Sequence, residues 1–278
     1  WAARPLLRAP SASLSYAEAR ERVDRIAHHL IHGLQLAPGN RVLLRGGNSI
    51  GMALAWLAVV KAGLIVVPTM PLLRAVELDK VIDKAQPALA LCEVALLKDM
   101  VQAAQDAKGK LPVIAFGDPK RADGVEQRAA RRSPDYPGCA TAADDIALLA
   151  FTSGTTGVPK AVVTTHRDIL AACNAWPRHV LKMTPDDIVT GSPPLAFTFG
   201  TGGLLIYPMW AGASVYYPDV RFNPETMVRK MRDNGITVCY TAPTFYRQMA
   251  PYAQALGIPS LRICVSAGEA LPDATRQL

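Results

Sequence analysis

Cysteine is scarce and scattered: the five residues Cys92, Cys139, Cys173, Cys239 and Cys264 are odd in number, and no two have the close spacing of a zinc site. Most sit in apolar runs such as VCY and RICVS, which argues against a disulfide framework and for reduced core thiols of a cytoplasmic protein. His28, His29 and His32 lie on one expected helix with no cysteine or carboxylate at i+4, so no metal site is assigned. An uninterrupted membrane-length run is also missing. The most apolar stretch, residues 50–68, IGMALAWLAVVKAGLIVVP, is interrupted by Lys61 and broken by Gly63, whereas a spanning helix needs about 20 apolar residues. A buried helix followed by a strand is expected there. Nor is there a basic stripe: the net charge of +7 is spread along the chain. Its densest cluster, Arg128, Arg131 and Arg132, falls in a polar stretch that reads as a solvated linker face, so no nucleic-acid partner is expected. The chain opens on Trp1 without a signal pattern and ends in DATRQL where a helix has barely started, which suggests a fragment or a trimmed chain.

Half of the residues are apolar, enough for a sizeable core. Ser15 and Glu18 have the spacing of a capping box, followed by apolar residues at helical period from Val23 to Leu34. Short apolar strands then alternate with helices: RVLLR, LIVVP, ALALC and PVIAF. Residues 117–143 lack apolar periodicity and are rich in glycine and proline. A second alternating run follows, with IALLAFT, KAVVTT, DIVTGS, ASVYY, ITVCY and LRICVS as strands. The expected fold is α/β, two stacked α/β layers with largely parallel sheets flanked by helices. The expected division is a first subdomain over residues 1–116, a linker over 117–143 and a second subdomain over 144–278, the two halves being pseudo-repeats without visible sequence similarity.

One stretch carries the chemistry. Within TSGTTGVPK, residues 152–160, glycines permit close backbone approach, hydroxyls donate, and Lys160 supplies a cation, which are the requirements of a polyphosphate cradle. The common nucleoside-triphosphatase loop is excluded, because there Gly-Lys-Ser/Thr opens directly into a helix. Here Lys160 follows Pro159 and leads into the β-branched AVVTT, so the loop joins two strands. The next helix begins later, at a Thr165/Asp168 capping box. An ordinary Gly/Thr surface hairpin with no ligand is the alternative.

TSGTTGVPK closely resembles the signature loop of the adenylate-forming superfamily of acyl-CoA synthetases, peptide-synthetase adenylation domains and luciferases. SLSYAEA, VVKAGLIVVPTMP, TAPTFYRQM and SAGEALP resemble further segments of that family in the expected order, so the likeness covers almost the whole chain. The stretch SPPLAFTFGTGGLLIYPMWAGA leans toward the benzoate-CoA and 2-aminobenzoate-CoA ligases of aromatic compound degradation. Ala161 departs from the glycine many relatives carry after the lysine, and a methyl there would stiffen the loop without removing a donor.

The resemblance implies an acid-thiol ligase that makes an acyl-adenylate from a carboxylate and ATP with Mg2+, then passes the acyl group to coenzyme A. By the same resemblance, Thr152, Ser153, Gly154, Thr155, Thr156, Gly157 and Lys160 hold the ATP phosphates, and Gly268, Glu269 and Ala270 contact adenine. Glu269 has a plainer alternative as a charge at a helix start. Phe197, Phe199 and Gly200, beside Gly202 and Gly203, would form an acyl pocket or thiol tunnel with flat walls suited to an aryl acid. The alternative is that both phenylalanines are core residues at strand period. Tyr240, Thr244 and Tyr246 are weaker candidates for the same wall.

The family pattern continues past residue 278 with a Tyr-Gly-x-Thr-Glu segment, a ribose-binding aspartate and a small C-terminal domain bearing the catalytic lysine. No catalytic acid or base is therefore assigned, and the chain alone is not expected to form adenylate efficiently. A homodimer is left open. Two rival readings stay open as well: a nucleotide-binding homologue without chemistry, and an amino-acid-activating module, the latter weakened by the lack of a clear acid around residues 197–203.

Overall fold

The computed structural model describes residues 1–107, 110–152, 160–218 and 223–277. In chain order its strands are β1 (Pro5–Ala9), β2 (Ala12–Ser15), β3 (Arg41–Arg45), β4 (Ile65–Thr69), β5 (Leu89–Glu93) and β6 (Val113–Phe116). They continue with β7 (Ile146–Thr152), β8 (Lys160–Thr165), β9 (Ile188–Gly191), β10 (Ser214–Tyr216), β11 (Val238–Thr241) and β12 (Ile263–Ser266). The chain forms two compact units, one of Ala17–Ala172, the other of Trp1–Tyr16 with Cys173–Leu278.

The unit Ala17–Ala172 holds a six-stranded sheet in the order β6-β5-β3-β4-β7-β8, parallel except for the β7–β8 hairpin at its edge. Leu43 in β3 and Val67 in β4 are fully buried and pack with Leu78, Val81 and Met100 of the covering helices. Strands covered on both faces need continuous apolar runs, which is why RVLLR and IVVPT do not alternate. The helix Ile50–Lys61 starts at Ser49, whose hydroxyl accepts from the Met52 N–H, and is apolar all round because it is buried. Lys61, the charge that interrupts this run, pairs with the buried Asp24. Gly63 then turns the chain at φ +71° into β4. Among the described residues no helix is long and apolar enough to cross a membrane.

The other unit has a sheet in the order β12-β11-β9-β10-β1-β2, again parallel except for its edge hairpin, β1–β2. If β9 to β12 are matched with β3 to β6, the two strand orders coincide, with β1–β2 standing where β7–β8 stands in the first sheet. The repeat is thus one of topology, with its hairpin after the four parallel strands in one unit and before them in the other. Met227, Val228, Met231 and Ile236 form the core beneath this sheet with Cys239 and Met249.

This arrangement divides the chain elsewhere than at residues 117–143. Val66 of β4 registers with Leu148, so β7 completes the first sheet, while Leu7 of β1 registers with Val215 and completes the second. Residues 117–143 are not a free spacer. They contain the helix Val125–Ala130, the Cys139 N–H donates to the Lys61 carbonyl at 2.9 Å, and Tyr136 stacks on His28. Of the five thiols, Cys92, Cys173 and Cys239 are buried, Cys139 is half-buried and Cys264 is exposed, so the expectation of core thiols holds for three, is met only in part at Cys139 and fails at Cys264, which lies on the edge strand β12.

Candidate functional site

In the unit Ala17–Ala172, Thr152 closes β7 and Lys160 opens β8, and the two are register partners across the hairpin. The strand-loop-strand setting is therefore present. Ser153, Gly154, Thr155, Thr156 and Gly157 lie outside the described residues. Lys160 is exposed, and among the described residues no carboxylate pairs with it. An exposed ammonium that no carboxylate among the described residues engages can meet a polyanion without first breaking an ion pair with one of them. Ala161 sits opposite Phe151 in the ladder, half-buried, so the methyl packs along the hairpin.

The hairpin is anchored at its far end. Asp168 Oδ2 accepts the Thr165 N–H and hydroxyl at 2.8 Å each, and the Thr165 hydroxyl accepts the Asp168 N–H at 3.2 Å, capping the helix His166–Ala175. Those Thr165 donors, backbone first, hold the Asp168 carboxyl below the usual carboxylate range.

In the other unit, Phe197 immediately precedes a helical stretch made of Thr198–Thr201, Gly202–Ile206 and Tyr207–Ala211. Phe199 is helical and the extended Phe197 is exposed, so strand period does not place either phenylalanine in the core. Phe197 is 51% exposed, while Phe199 meets Tyr240 with ring centroids 5.5 Å apart. The glycines serve the protein's own packing. A Cβ at Gly203 would come within 2.5 Å of the Tyr240 ring, one at Gly202 within 2.8 Å of Tyr207, and one at Gly200 would strike the Pro194 carbonyl. Gly203, Phe199 and Tyr240 are thus brought together, Gly200 packs instead on the Pro194 carbonyl, and Phe197 is left exposed. Burial raises the Tyr240 hydroxyl well above its ordinary value, so it stays protonated.

The candidates around the last strand separate. Tyr246 donates to the Cys239 carbonyl at 2.6 Å and to the Val265 carbonyl at 3.2 Å, which ties β11 to β12 and takes its hydroxyl out of a pocket wall. Thr244, at the start of the helix Pro243–Leu256, donates its N–H at 2.9 Å and its hydroxyl at 2.5 Å to Glu269. The glutamate is accordingly a charge at a helix start, but of the preceding helix rather than of its own turn. Its carboxyl is held low by the Thr244 hydroxyl and N–H. Gly268 has φ +94°, the left-handed conformation that lets this loop leave β12.

One constellation escaped the sequence reading. Asp187, 3% exposed, takes two bonds from the Arg262 guanidinium at 2.7 and 2.5 Å, one from the Thr237 hydroxyl at 2.7 Å and one from the Thr184 N–H at 2.8 Å. It pins the starts of β9, β11 and β12 at one end of the sheet. No local pattern announces it, since its members are spread over more than 70 positions.

A parallel sheet ending in a hairpin that carries the Gly/Thr loop, repeated in topology by a second sheet, is the N-terminal architecture of the adenylate-forming fold. The chain belongs to the AMP-binding enzyme family, whose sequence model matches residues 2–277. Among its relatives, the 4-hydroxybenzoate-CoA/benzoate-CoA ligase of Rhodopseudomonas palustris is 31% identical over 95% of this chain and 49% of its own length. The benzoate-CoA ligase of Thauera aromatica is 28% identical over 95% of this chain and 50% of its own. Among solved structures, the anthranilate CoA ligase AuaEII in complex with anthranoyl-AMP superposes with a TM-score of 0.91 at 26% identity, over 99% of this chain and 54% of that one. The chain spans about half the length of the curated relatives it matches.

Proposed function

We propose that the protein carrying this chain is an ATP-dependent carboxylate-CoA ligase acting through an acyl-adenylate, on an aromatic acid such as benzoate or 2-aminobenzoate. The observation that supports this most is the likeness, over 99% of the chain, to a ligase solved with anthranoyl-AMP. In the first step a carboxylate oxygen of the acid attacks the α-phosphorus of ATP, the α–β phosphoanhydride bond breaks, and pyrophosphate leaves with the bonding electrons. In the second, the thiol sulfur of coenzyme A attacks the acyl carbon, loses its proton, and AMP leaves.

A carboxylate is a poor electrophile, so the first step converts one of its oxygens into part of a good leaving group, AMP. The residues here supply positioning and charge rather than proton transfer. Thr152 and Lys160, with Ser153 to Gly157 between them, are assigned to the β- and γ-phosphates, where an ammonium offsets the charge growing on pyrophosphate. A hydroxyl and an ammonium suit phosphate oxygens rather than a metal, so Mg2+ would arrive on the nucleotide. Residues 268–270 are assigned to adenine through their backbone, because the Glu269 carboxylate already serves Thr244. Phe197 is assigned to the aryl ring or the thiol path, with Phe199 and Tyr240 behind it.

The test is a panel of acids given to the full-length protein with ATP and coenzyme A, followed as AMP formation. Turnover of benzoate or 2-aminobenzoate is expected, and turnover confined to medium-chain fatty acids would overturn the aryl assignment.

A further inference from the structure

His29 is a buried imidazole whose ring bonds to nothing among the described residues. It is 5% exposed, and neither ring nitrogen has a hydrogen-bond partner among the described residues. An imidazole in that condition forfeits its hydration without recompense, so its surroundings call for a reason. The ring lines a cleft of about 570 Å³ whose other walls are Ala122, Asp123, Arg128, Arg131 and Arg132. Gly33 makes room for this convergence: a Cβ there would meet the His29 ring and lie 2.8 Å from an Arg132 Nη.

The cleft is a built feature. Arg25 donates to the Ala130 and Arg132 carbonyls, and His28 Nδ1 lies 3.2 Å from the Ser133 carbonyl, so the segment bearing the arginines is fastened to the helix Tyr16–His28 that leads into His29. Its charge is unbalanced. Asp123, the carboxylate on the lining, pairs with Arg121 at 2.7 Å. Among the described residues no carboxylate pairs with Arg128, Arg131 or Arg132. Burial first, and then Arg132 and Arg128, lower the His29 imidazole to about 4, so at neutral pH it is uncharged, with one N–H to give and one lone pair to accept.

We propose that this cleft binds the phosphate group of a small anionic ligand, with Arg128, Arg131 and Arg132 closing on its oxygens and His29 donating its buried N–H to one of them. Guanidinium forks match phosphate oxygens in pairs, and the anion would supply the partner that His29 lacks. The inference stands apart from the adenylation reading, since it uses none of the residues assigned to that reaction.

Inorganic phosphate and ribose 5-phosphate, titrated calorimetrically into the full-length protein at low chloride, test it, with the His29 ring signals followed by NMR. The nucleotide site is kept saturated with a non-hydrolysable ATP analogue. Saturable binding with movement of the His29 signals is expected, and R128Q/R132Q should weaken it at least tenfold. Tighter binding of inorganic phosphate would mark the free ion as the ligand, and tighter binding of the sugar phosphate a phosphorylated metabolite. The single variant R131Q, which alters an exposed side chain, should weaken binding several-fold if the double variant does not fold. Absence of binding, displacement by the ATP analogue, or unchanged affinity in the folded variants would overturn the proposal.

Discussion

Glu269 and Thr244 are joined twice, the glutamate Oε1 accepting both the N–H and the hydroxyl of a residue 25 positions earlier. The bond fastens the loop after β12 to the N-terminus of the helix Pro243–Leu256, where an anion is favoured. With its folded pKa below the ordinary 4.5, the glutamate stabilises the fold above that value, and the contribution disappears as pH falls through the depressed one. E269Q is expected to lower Tm by a few degrees at pH 7 and to raise the KM for ATP, because the loop assigned to adenine loses its anchor. Melting curves at pH 7 and pH 3.5 with ATP kinetics check it; an unchanged KM beside a lowered Tm would leave the glutamate a cap alone.

The Asp187–Arg262 pair sets the acid limit of its unit. Burial alone would raise the Asp187 carboxyl, but the Arg262 and Thr237 side chains and the Thr184 N–H outweigh it and hold it below 3.8. A depressed folded pKa stabilises above the unfolded value and is lost as pH falls below it, so stability should drop below about pH 4. Removing one member leaves a buried ion unpaired: R262A is expected to cost about 3–5 kcal/mol at pH 7. Urea unfolding at pH 7 and pH 3 measures both, and the variant should show less acid sensitivity than the parent.

What could be read from sequence was local. Thr165 and Asp168 are three residues apart, and their capping box is present. The strand after Gly63 and the hairpin flanking residues 153–159 were equally legible, because apolar runs and glycine act within a few residues. The partnership of β1 with β10 was not, since Leu7 and Val215 share no pattern that links them. The Glu269–Thr244 bond and the Asp187 cluster escaped for the same reason. The helix Val125–Ala130 was missed because only Val125 and Ala129 of its six residues are buried, too few to impose a period on a glycine- and proline-rich stretch.

Lys160 offers a test of function with little structural interference. Its ammonium is exposed on an edge strand, so K160A should leave the unfolding free energy within about 0.5 kcal/mol of the parent. Loss of a donor aimed at developing charge typically costs 10²–10³ in rate, and a drop of about that size is expected in benzoate-dependent ATP–pyrophosphate exchange by the full-length protein. K160R should recover part of it, as a charge on a differently shaped donor. An exchange rate unchanged in K160A would remove the lysine from the phosphate site.

Gly203 links the helix after Phe197 to the ring of Tyr240, and a methyl there has no space. Its Cβ would lie 2.5 Å from Tyr240 Cδ1 and Cε1, in the interior of the unit, where Tyr240 is 1% exposed and held against Phe199. The tyrosine ring cannot swing outward without abandoning that contact, so the helix itself must shift. G203A is therefore expected to destabilise by about 1–3 kcal/mol, the usual cost of overpacking. Movement of Phe199 should also reach the pocket assigned to the aryl ring, lowering kcat/KM for 2-aminobenzoate more than for the smaller benzoate. Y240F keeps the ring and removes only the hydroxyl, so it should retain the parent's ratio between the two acids. The two ratios, measured side by side, distinguish a displaced wall from a lost polar group.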